Sequence, residues 1–531
     1  MKNILIGKAD IRTLLSGNYI YVDKTEYIYN LVNKPDIYFL SRPRRFGKSL
    51  LVSTFIEIFS GNKELFKDCW IYKNTNYDWK KYPIIYLDFA EISNMNTDIF
   101  KKGLIKKFYE IANNYEINLI ESKEIKELIK ELLKKLYERY NEKVVILIDE
   151  YDEPILDNID NLEVGKENTI SMYDMYVVMK SNSQYIHFEF VTGITRFAKT
   201  SLFSGPNNLQ SLSMKSEYNN LLGYTQEELE FYFNDYINLI NEKLKINNKS
   251  ELLNKIKTYY NGYLFSHENK NLKTVYNPFS ILNFFSEMFF NSYWFKTGTP
   301  SYLIELLNKY FYDIPKDENN IYLSMYELEK FEIDRINFIS LLFQAGYLTI
   351  ESYNFERKEL KLKYPNQEVR DSFIENIESI IKERINDKIR EENSNLKMLI
   401  TSENWEKVFI LLKSIFATIP YGFKPNTEYY YSSVFMGILS GAGFQFDAEV
   451  HTNDGRIDMV LYANEKIYII EFKIKQLPSK AINQIEDKKY FTKYLAKEKP
   501  ILFMGVNFDT DEKNLSSWKV EEFKLENINS N

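Results

Sequence analysis

With 531 residues and ~150 residues per domain, the chain has room for about three domains. Its 44% hydrophobic and 16% aromatic content can fill real cores and excludes a largely disordered chain. A formal net charge of −7, with an isoelectric point near 5.5, excludes a globally basic nucleic-acid binder but not a local basic surface.

One cysteine, Cys69, and three histidines, His187, His267 and His451, leave no material for a disulfide framework or a Cys/His zinc cluster. Any metal must rest mainly on carboxylates, which points to Mg²⁺, with Mn²⁺ possible. Cys69 beside Trp70 reads as a packing thiol and His451 as a polar strand residue. The N-terminal apolar stretch is broken by Gly7-Lys8-Ala9-Asp10, so it does not read as a signal peptide. No uncharged apolar run reaches membrane-spanning length. A cytoplasmic protein with no membrane partner is expected.

The apolar run Ile37 to Leu40 predicts a buried strand, and Leu51, Val52, Phe55, Ile56 and Phe59 recur at helical spacing after Ser49. Between them, Arg42-Pro43-Arg44-Arg45-Phe46-Gly47-Lys48-Ser49 has the form of a phosphate-binding loop. Arg42 stands where the usual G-x-x-x-x-G-K-[ST] pattern has its first glycine. Backbone N–H groups at a helix N-terminus can cradle phosphates there, with Lys48 reaching the β/γ oxygens and Ser49 meeting Mg²⁺. Arg42, Arg44 and Arg45 either add phosphate contacts or pair with nearby acids.

A second strand is predicted at Ile84 to Asp88, an amphipathic helix over 122–140, and a third strand at Val144 to Ile148. The third ends in Asp149-Glu150, the form of a Walker B strand. There Asp149 would hold Mg²⁺ and Glu150 would polarise the attacking water; the alternative is a solvated acidic turn. A fourth strand, Phe188 to Thr192, ends at Gly193-Ile194-Thr195-Arg196. Arg196 can meet a γ-phosphate, with Thr192 or Thr195 as a polar sensor, or form a strand-end ion pair. Apolar runs separated by helices predict a parallel sheet buried on both faces. Both motifs fall at C-terminal strand ends, where open α/β sheets bind ligands.

Residues 216–375 read as mainly helical, with one strand-like segment at Gly346 to Ile350. Residues 376–420 read as a charged helical linker. A turn cluster at Pro420 opens a last unit of order helix, strand, strand, helix, strand. In it, Gly455 to Leu461 and Lys466 to Lys473 predict a β-hairpin that gathers Asp458, Glu471 and Lys473 at one end. Glu471 and Lys473 are two apart and share a face. Charges that interrupt apolar strands need a partner or a function. Two carboxylates can bind Mg²⁺ and stabilise in-line attack on phosphate, while Lys473 positions water or neutralises charge. The alternative is a sheet-edge salt bridge. Eight lysines face four acids between 471 and 500, which suits either a phosphate-tracking surface or a solvated helix face.

The segments 17–25, 41–49, 148–152 and 193–197, among them Val22-Asp23-Lys24-Thr25 and Ile148-Asp149-Glu150-Tyr151-Asp152, resemble the bacterial AAA-ATPase-like family. In that family the Arg-Pro-Arg-Arg-Phe-Gly-Lys-Ser form of the loop is usual. The resemblance is strong over about 1–215 and looser in the C-terminal part. It implies a P-loop AAA-ATPase-like domain at 1–215, of α/β class with a parallel sheet, and a helical, winged-helix-like middle region at 216–375. After the 376–420 linker it implies a small α/β, restriction-endonuclease-like domain of the PD-(D/E)XK nuclease superfamily at 421–531. Taken with the motifs, it gives ATP contacts at Arg44, Arg45, Phe46, Gly47, Lys48, Ser49, Asp149 and Arg196. Metal contacts fall at Ser49, Asp149, Asp458 and Glu471, and catalytic roles at Glu150, Asp458, Glu471 and Lys473. The resemblance also places residues 22–25 near the adenine, whereas Asp23 alone reads as a turn or helix cap. Glu428 resembles the N-terminal acid of PD-(D/E)XK nucleases, and Gln484 and Tyr490 their additional helix residues. Taken singly, each of the three reads as a surface or packing position rather than a site residue. The expectation is an ATP-binding enzyme with a Mg²⁺-dependent nuclease-like domain acting on nucleic acid, DNA rather than RNA. The alternatives are a nucleotide-gated regulator or scaffold that binds without cutting, and an ATPase with a purely structural C-terminal domain.

Overall fold

The computed structural model describes residues 1–196, 209–243, 248–268, 271–298, 303, 306, 320–329, 337–376, 395–417, 427–452 and 455–523. Phe197, residues 377–394 and 418–420 of the predicted linker, and the turn cluster at Pro420 lie outside the described residues. The chain forms two compact units, residues 1–373 and 374–531. The first unit therefore spans both the P-loop region and the helical region that follows it.

The first unit is built on a five-stranded parallel sheet of order β2-β3-β4-β1-β5. Its strands are β1 (Ile37–Ser41), β2 (Ile84–Asp88), β3 (Val144–Asp149), β4 (Ile186–Gly193) and β5 (Gln210–Ser211). Every residue of β3 is buried, as a central strand covered by helices on both faces must be. The four predicted strands are all present. β5 is too short to carry a periodic signal. β4 lies between β1 and β3, with Leu40 opposite Thr192 and Ile148 opposite Val191. This register sets the C-terminal ends of β1 and β3 one strand apart, at the end of the sheet where open α/β folds bind ligands. The predicted amphipathic helix runs Ile125–Tyr140 and buries Ile125, Leu128, Ile129, Leu132, Leu133 and Leu136.

The helical region packs Leu229, Phe233, Ile237, Ile256, Phe284 and Phe285 into one core, which also takes in Ile20 and Val22 from the N-terminal segment. It carries more strand than predicted. β6 (Ile321–Ser324), β7 (Thr349–Asn354) and β8 (Glu359–Lys363) form an antiparallel sheet of order β6-β8-β7. β7 takes up the end of the predicted segment Gly346 to Ile350, while β6 and β8, four and five residues long, are too short to give a pattern to read.

The second unit holds a mixed sheet of order β13-β12-β11-β10-β9. Its strands are β9 (Gln445–Thr452), β10 (Gly455–Ala463), β11 (Lys466–Ile474), β12 (Ile501–Asp509) and β13 (Asn514–Glu522). β11 and β12 are parallel and are joined through the helix Pro478–Asp487; the other neighbours are antiparallel. The two strands beyond the predicted set, β9 and β13, are the edges, where few side chains are buried. No described helix is long and apolar enough to cross a membrane.

Candidate functional site

The turn after β1 runs straight into the helix Lys48–Phe59, with Gly47 as its N-cap at φ 96°. A Cβ built on Gly47 meets no atom within 4 Å, so the backbone angle, not crowding, requires glycine here. Arg45 is also left-handed, at φ 68°. The turn presents Lys48 and Ser49 towards the end of β3. Lys48 is only 3% exposed, and its Nζ lies 3.5 Å from Glu150 Oε1. The Ser49 hydroxyl lies beside Asp149, which is wholly buried.

Asp149 Oδ1 accepts from the Glu150 N–H at 3.0 Å, while Oδ2 has no hydrogen-bond partner among the described residues. Burial, with neighbouring Glu150 adding to it, pushes the Asp149 carboxyl up to about 7. An orphaned buried carboxylate oxygen beside a serine hydroxyl is the donor set that a divalent cation takes.

A cavity of about 510 Å³ opens beside these residues, a size typical of small-molecule sites. Residues 44–49, Glu150 and Glu153 form its polar end; Ile20, Val22, Leu222, Phe279 and Leu282 line its apolar end. Lys24 lines it too, but its Nζ is bound to both Glu228 carboxylate oxygens and to the Asn220 carbonyl. Asp23 ties together the starts of two helices: one oxygen accepts from Thr25 N–H at 2.9 Å, the other from Trp70 N–H at 2.6 Å. Leu222, Phe279 and Leu282 carry no sequence signal, being ordinary apolar residues of the region after the parallel sheet.

Three placements differ from expectation. Arg42 contacts neither a phosphate position nor an acid. It is 2% exposed, and it donates to the Ser41, Ser213 and Tyr218 carbonyls at 2.9, 2.7 and 3.1 Å. Its guanidinium lies 4.1 Å above the Phe265 ring. Phe46 turns its side chain away from the loop, edge-on to Tyr263 and Phe265, so only its backbone is well placed to meet a ligand. Arg196 is not among the residues that line the cavity. It lies beside Arg42, Pro43 and Phe343, and its N–H donates to Gln344 Oε1 at 2.5 Å.

The polar sensors are committed elsewhere. The Thr192 hydroxyl donates to the Leu40 carbonyl at 2.7 Å. Thr195 donates through both N–H and hydroxyl to buried Asp152 at 2.6 Å. Arg44 and Arg45 line the cavity, Arg45 resting 5.1 Å above Phe279.

In the second unit the β10–β11 ladder runs up to Met459 opposite Ile470. Just beyond it the carboxylates take over the pairing. Asp458 Oδ2 accepts from Phe472 N–H at 2.9 Å, and Glu471 Oε1 accepts from Asp458 N–H at 3.3 Å. Lys473 Nζ lies 3.4 Å from Glu471 Oε2 and donates to the Phe472 carbonyl at 2.8 Å. Phe472, on the opposite face, packs edge-on against Phe435. Gln484, from the helix Pro478–Asp487, donates to Glu471 Oε2 at 2.6 Å. Glu428, the first residue of the helix Glu428–Gly441, faces the same group: burial raises its carboxyl, Lys473 opposes the rise and Asp458 adds to it. Buried Tyr490 sets its hydroxyl close over Gly455.

Glu471 is fully buried, and burial together with Asp458 pushes its carboxyl up to about 8 against the pull of Lys473. Asp458 Oδ1 receives no hydrogen bond among the described residues. In the same residues no three His, Cys, Asp or Glu side chains converge to hold a metal. A cation here would rest on Asp458 and Glu471, with water or phosphate completing its shell. Part of the nearby lysine excess is already used: Lys475 pairs with Asp511, Lys499 with Glu465, and Lys497 lies over Tyr462.

A family model described as predicted AAA-ATPase matches residues 5–203, and one described as the PD-(D/E)XK nuclease superfamily matches residues 426–518. An "Uncharacterized protein in vnfD 5'region" of Azotobacter chroococcum mcd 1 is 32% identical over 534 residues. That match covers 98% of this chain and 99% of the relative, so it runs through both matched regions and the helical segment between them.

Proposed function

Since the chain belongs to the predicted AAA-ATPase family that carries a C-terminal PD-(D/E)XK nuclease superfamily domain, we propose that it binds and hydrolyses ATP and cleaves nucleic acid. Lys48 neutralises the β- and γ-phosphate oxygens, the loop N–H groups hold them, and Glu150 orients and deprotonates the attacking water. An arriving phosphate competes with Glu150 for Lys48, which frees the Glu150 carboxylate for that task. At the second centre, Asp458 and Glu471 would hold a cation, Lys473 neutralises charge developing on the phosphate, and Gln484 fixes the Glu471 carboxylate. Divalent cations, Mg²⁺ or Mn²⁺, would supply at both centres the positive charge and water activation that phosphate chemistry needs.

The observation that carries the nuclease half is the convergence of Asp458, Glu471, Lys473 and Gln484 through contacts of 2.6–3.4 Å. A sheet-edge salt bridge accounts for Glu471 and Lys473, but not for Asp458, which holds the Phe472 N–H at 2.9 Å, or for Gln484, which donates to Glu471 at 2.6 Å. The test uses purified protein with Mg²⁺ or Mn²⁺ and double-stranded DNA, single-stranded DNA and RNA, with and without ATP. Cleavage by the wild type that is lost in Asp458→Ala, and ATP hydrolysis that is lost in Lys48→Ala, support the proposal. Equal cleavage by Asp458→Ala sinks the nuclease half.

A second reading, a nucleotide-gated regulator that binds without cutting, draws on one observation. Both Glu471 oxygens already accept hydrogen bonds, from Asp458 N–H on one side and from Gln484 and Lys473 on the other. It is favoured if DNA binds in the presence of Mg²⁺ and remains intact.

A further inference from the structure

The phosphate loop lacks the first glycine of the usual pattern, yet it adopts a tight turn with Arg45 and Gly47 both at positive φ. Its outer surface is held by residues far away in sequence. The Trp294 indole N–H donates to the Arg44 carbonyl at 3.0 Å. The Trp294 backbone N–H donates to Glu368 Oε1 at 2.6 Å, and Glu368 Oε2 accepts from the Ser280 hydroxyl at 2.8 Å. Trp294, Glu368 and Ser280 are all at most 1% exposed. Ser280 follows Phe279, whose ring lines the cavity and lies under Arg45.

The neighbouring contact is equally close. Gly346, at φ 93°, sits where a Cβ would lie 2.7 Å from Pro43 and 3.4 Å from the Trp294 ring. Pro43 and Arg44 are thus seated on one surface made by Trp294 and Gly346. A wholly buried carboxylic group is costly unless each of its oxygens is engaged. Here both Glu368 oxygens are used, one to fix the Trp294 backbone and one to fix the helix that bears Phe279. The arrangement links a cavity wall to a loop carbonyl through four hydrogen-bonded or adjacent groups.

We propose that Trp294 is a positioning residue for nucleotide phosphates: through the Arg44 carbonyl it holds the loop N–H groups in their phosphate-binding orientation, with Glu368 and Ser280 fixing Trp294 in turn. The inference rests on the nucleotide reading of the Lys48 cavity and assigns to the helical region a part in phosphate recognition. Removing the indole N–H lets the loop relax. Binding energy that depends on phosphate is then lost, while contacts of the base with the apolar end are kept.

The test is calorimetric titration of the full chain with ATP and, separately, with adenosine, comparing wild type, Trp294→Phe and Ser280→Ala. Trp294→Phe is expected to weaken ATP binding at least fivefold and to leave adenosine binding within twofold. Ser280→Ala is expected to weaken ATP binding two- to threefold with the same selectivity. A general packing defect would weaken both ligands alike, and that result overturns the proposal, as does unchanged ATP affinity in the folded variants. If Trp294→Phe fails to fold, Ser280→Ala decides alone, since it removes one hydroxyl and no packed ring. A wild type that binds no ATP, or binds it as well after Lys48→Ala, overturns the nucleotide reading itself and this inference with it. A wild type that binds ATP through Lys48 while both variants match it overturns this inference alone.

Discussion

Lys48 Nζ lies 3.5 Å from Glu150 Oε1, at the meeting of the phosphate loop and the end of β3. The pair neutralises a lysine that is almost wholly buried, and it sets up a competition between carboxylate and phosphate for one ammonium. Glu150→Gln removes the competitor and the base together. The expected outcome is ATP affinity equal to or several-fold tighter than wild type, with hydrolysis slowed at least ~100-fold. Titration calorimetry and phosphate release measure the two effects separately. Weaker ATP binding in Glu150→Gln would refute the competition.

The second centre is graded by how directly each residue meets phosphate. Asp458→Ala is expected to abolish cleavage. Lys473→Met should lower it on the order of 10²-fold or more, because charge compensation at the reacting phosphate is lost. Gln484→Ala should lower it ~10-fold, since it frees only the Glu471 carboxylate that Gln484 orients. Initial rates on end-labelled DNA with Mg²⁺ give the order. A Gln484→Ala rate equal to wild type would show that its 2.6 Å hydrogen bond to Glu471 has no bearing on the reaction.

Much of both centres is legible in the chain because each motif interrupts an apolar run with residues that a buried strand does not otherwise tolerate. Asp149 after five apolar residues, and Glu471 and Lys473 flanking Phe472, break the hydrophobic pattern at strand ends, where ligands bind. Other features have no local signature. β9 and β13 are edge strands whose exposed faces carry polar residues, so neither alternation nor apolar runs betray them. The role of Arg42 is hidden because its partners are backbone carbonyls at Ser213 and Tyr218, and any sequence can supply a carbonyl. Trp294, 250 positions from Arg44, joins the loop through tertiary packing alone. Gln484 resembles a helix residue of the nuclease superfamily, but only the crossover between β11 and β12 brings it to Glu471.

Arg42→Gly restores the glycine of the usual loop pattern, and it is expected to harm the protein. Arg42 satisfies three carbonyls from within the core and covers Phe265. Removing it deletes all three hydrogen bonds, leaving the Tyr218 carbonyl only the Leu221 N–H, and opens a side-chain-sized void. Hydrogen bonds to a charged group contribute about 1.5–3 kcal/mol each and are not additive, so a loss on the order of 3 kcal/mol or more is expected. Thermal unfolding should show a melting temperature lower by several degrees, with no gain in ATP affinity. An Arg42→Gly protein as stable as wild type would show that the carbonyl cage contributes nothing to the fold.

Glu189 offers a pH-dependent test away from either centre. It sits in β4 opposite Ile37 and Ile146 at 3% exposure, and burial alone pushes its carboxyl up to about 7. The folded protein therefore keeps the Glu189 proton up to about pH 7, whereas the unfolded chain releases it near 4.5. Between those values the folded state binds the extra proton, so Glu189 makes stability fall as pH rises and adds no slope outside the window. Glu189→Gln keeps the shape and cannot ionise. Its stability relative to wild type should rise between pH 5 and pH 8 by up to roughly 3 kcal/mol. Urea unfolding of both proteins at pH 5 and pH 8 measures the change. Parallel curves, with the same difference at both pH values, would mean that Glu189 ionises in the folded protein as readily as in the unfolded chain.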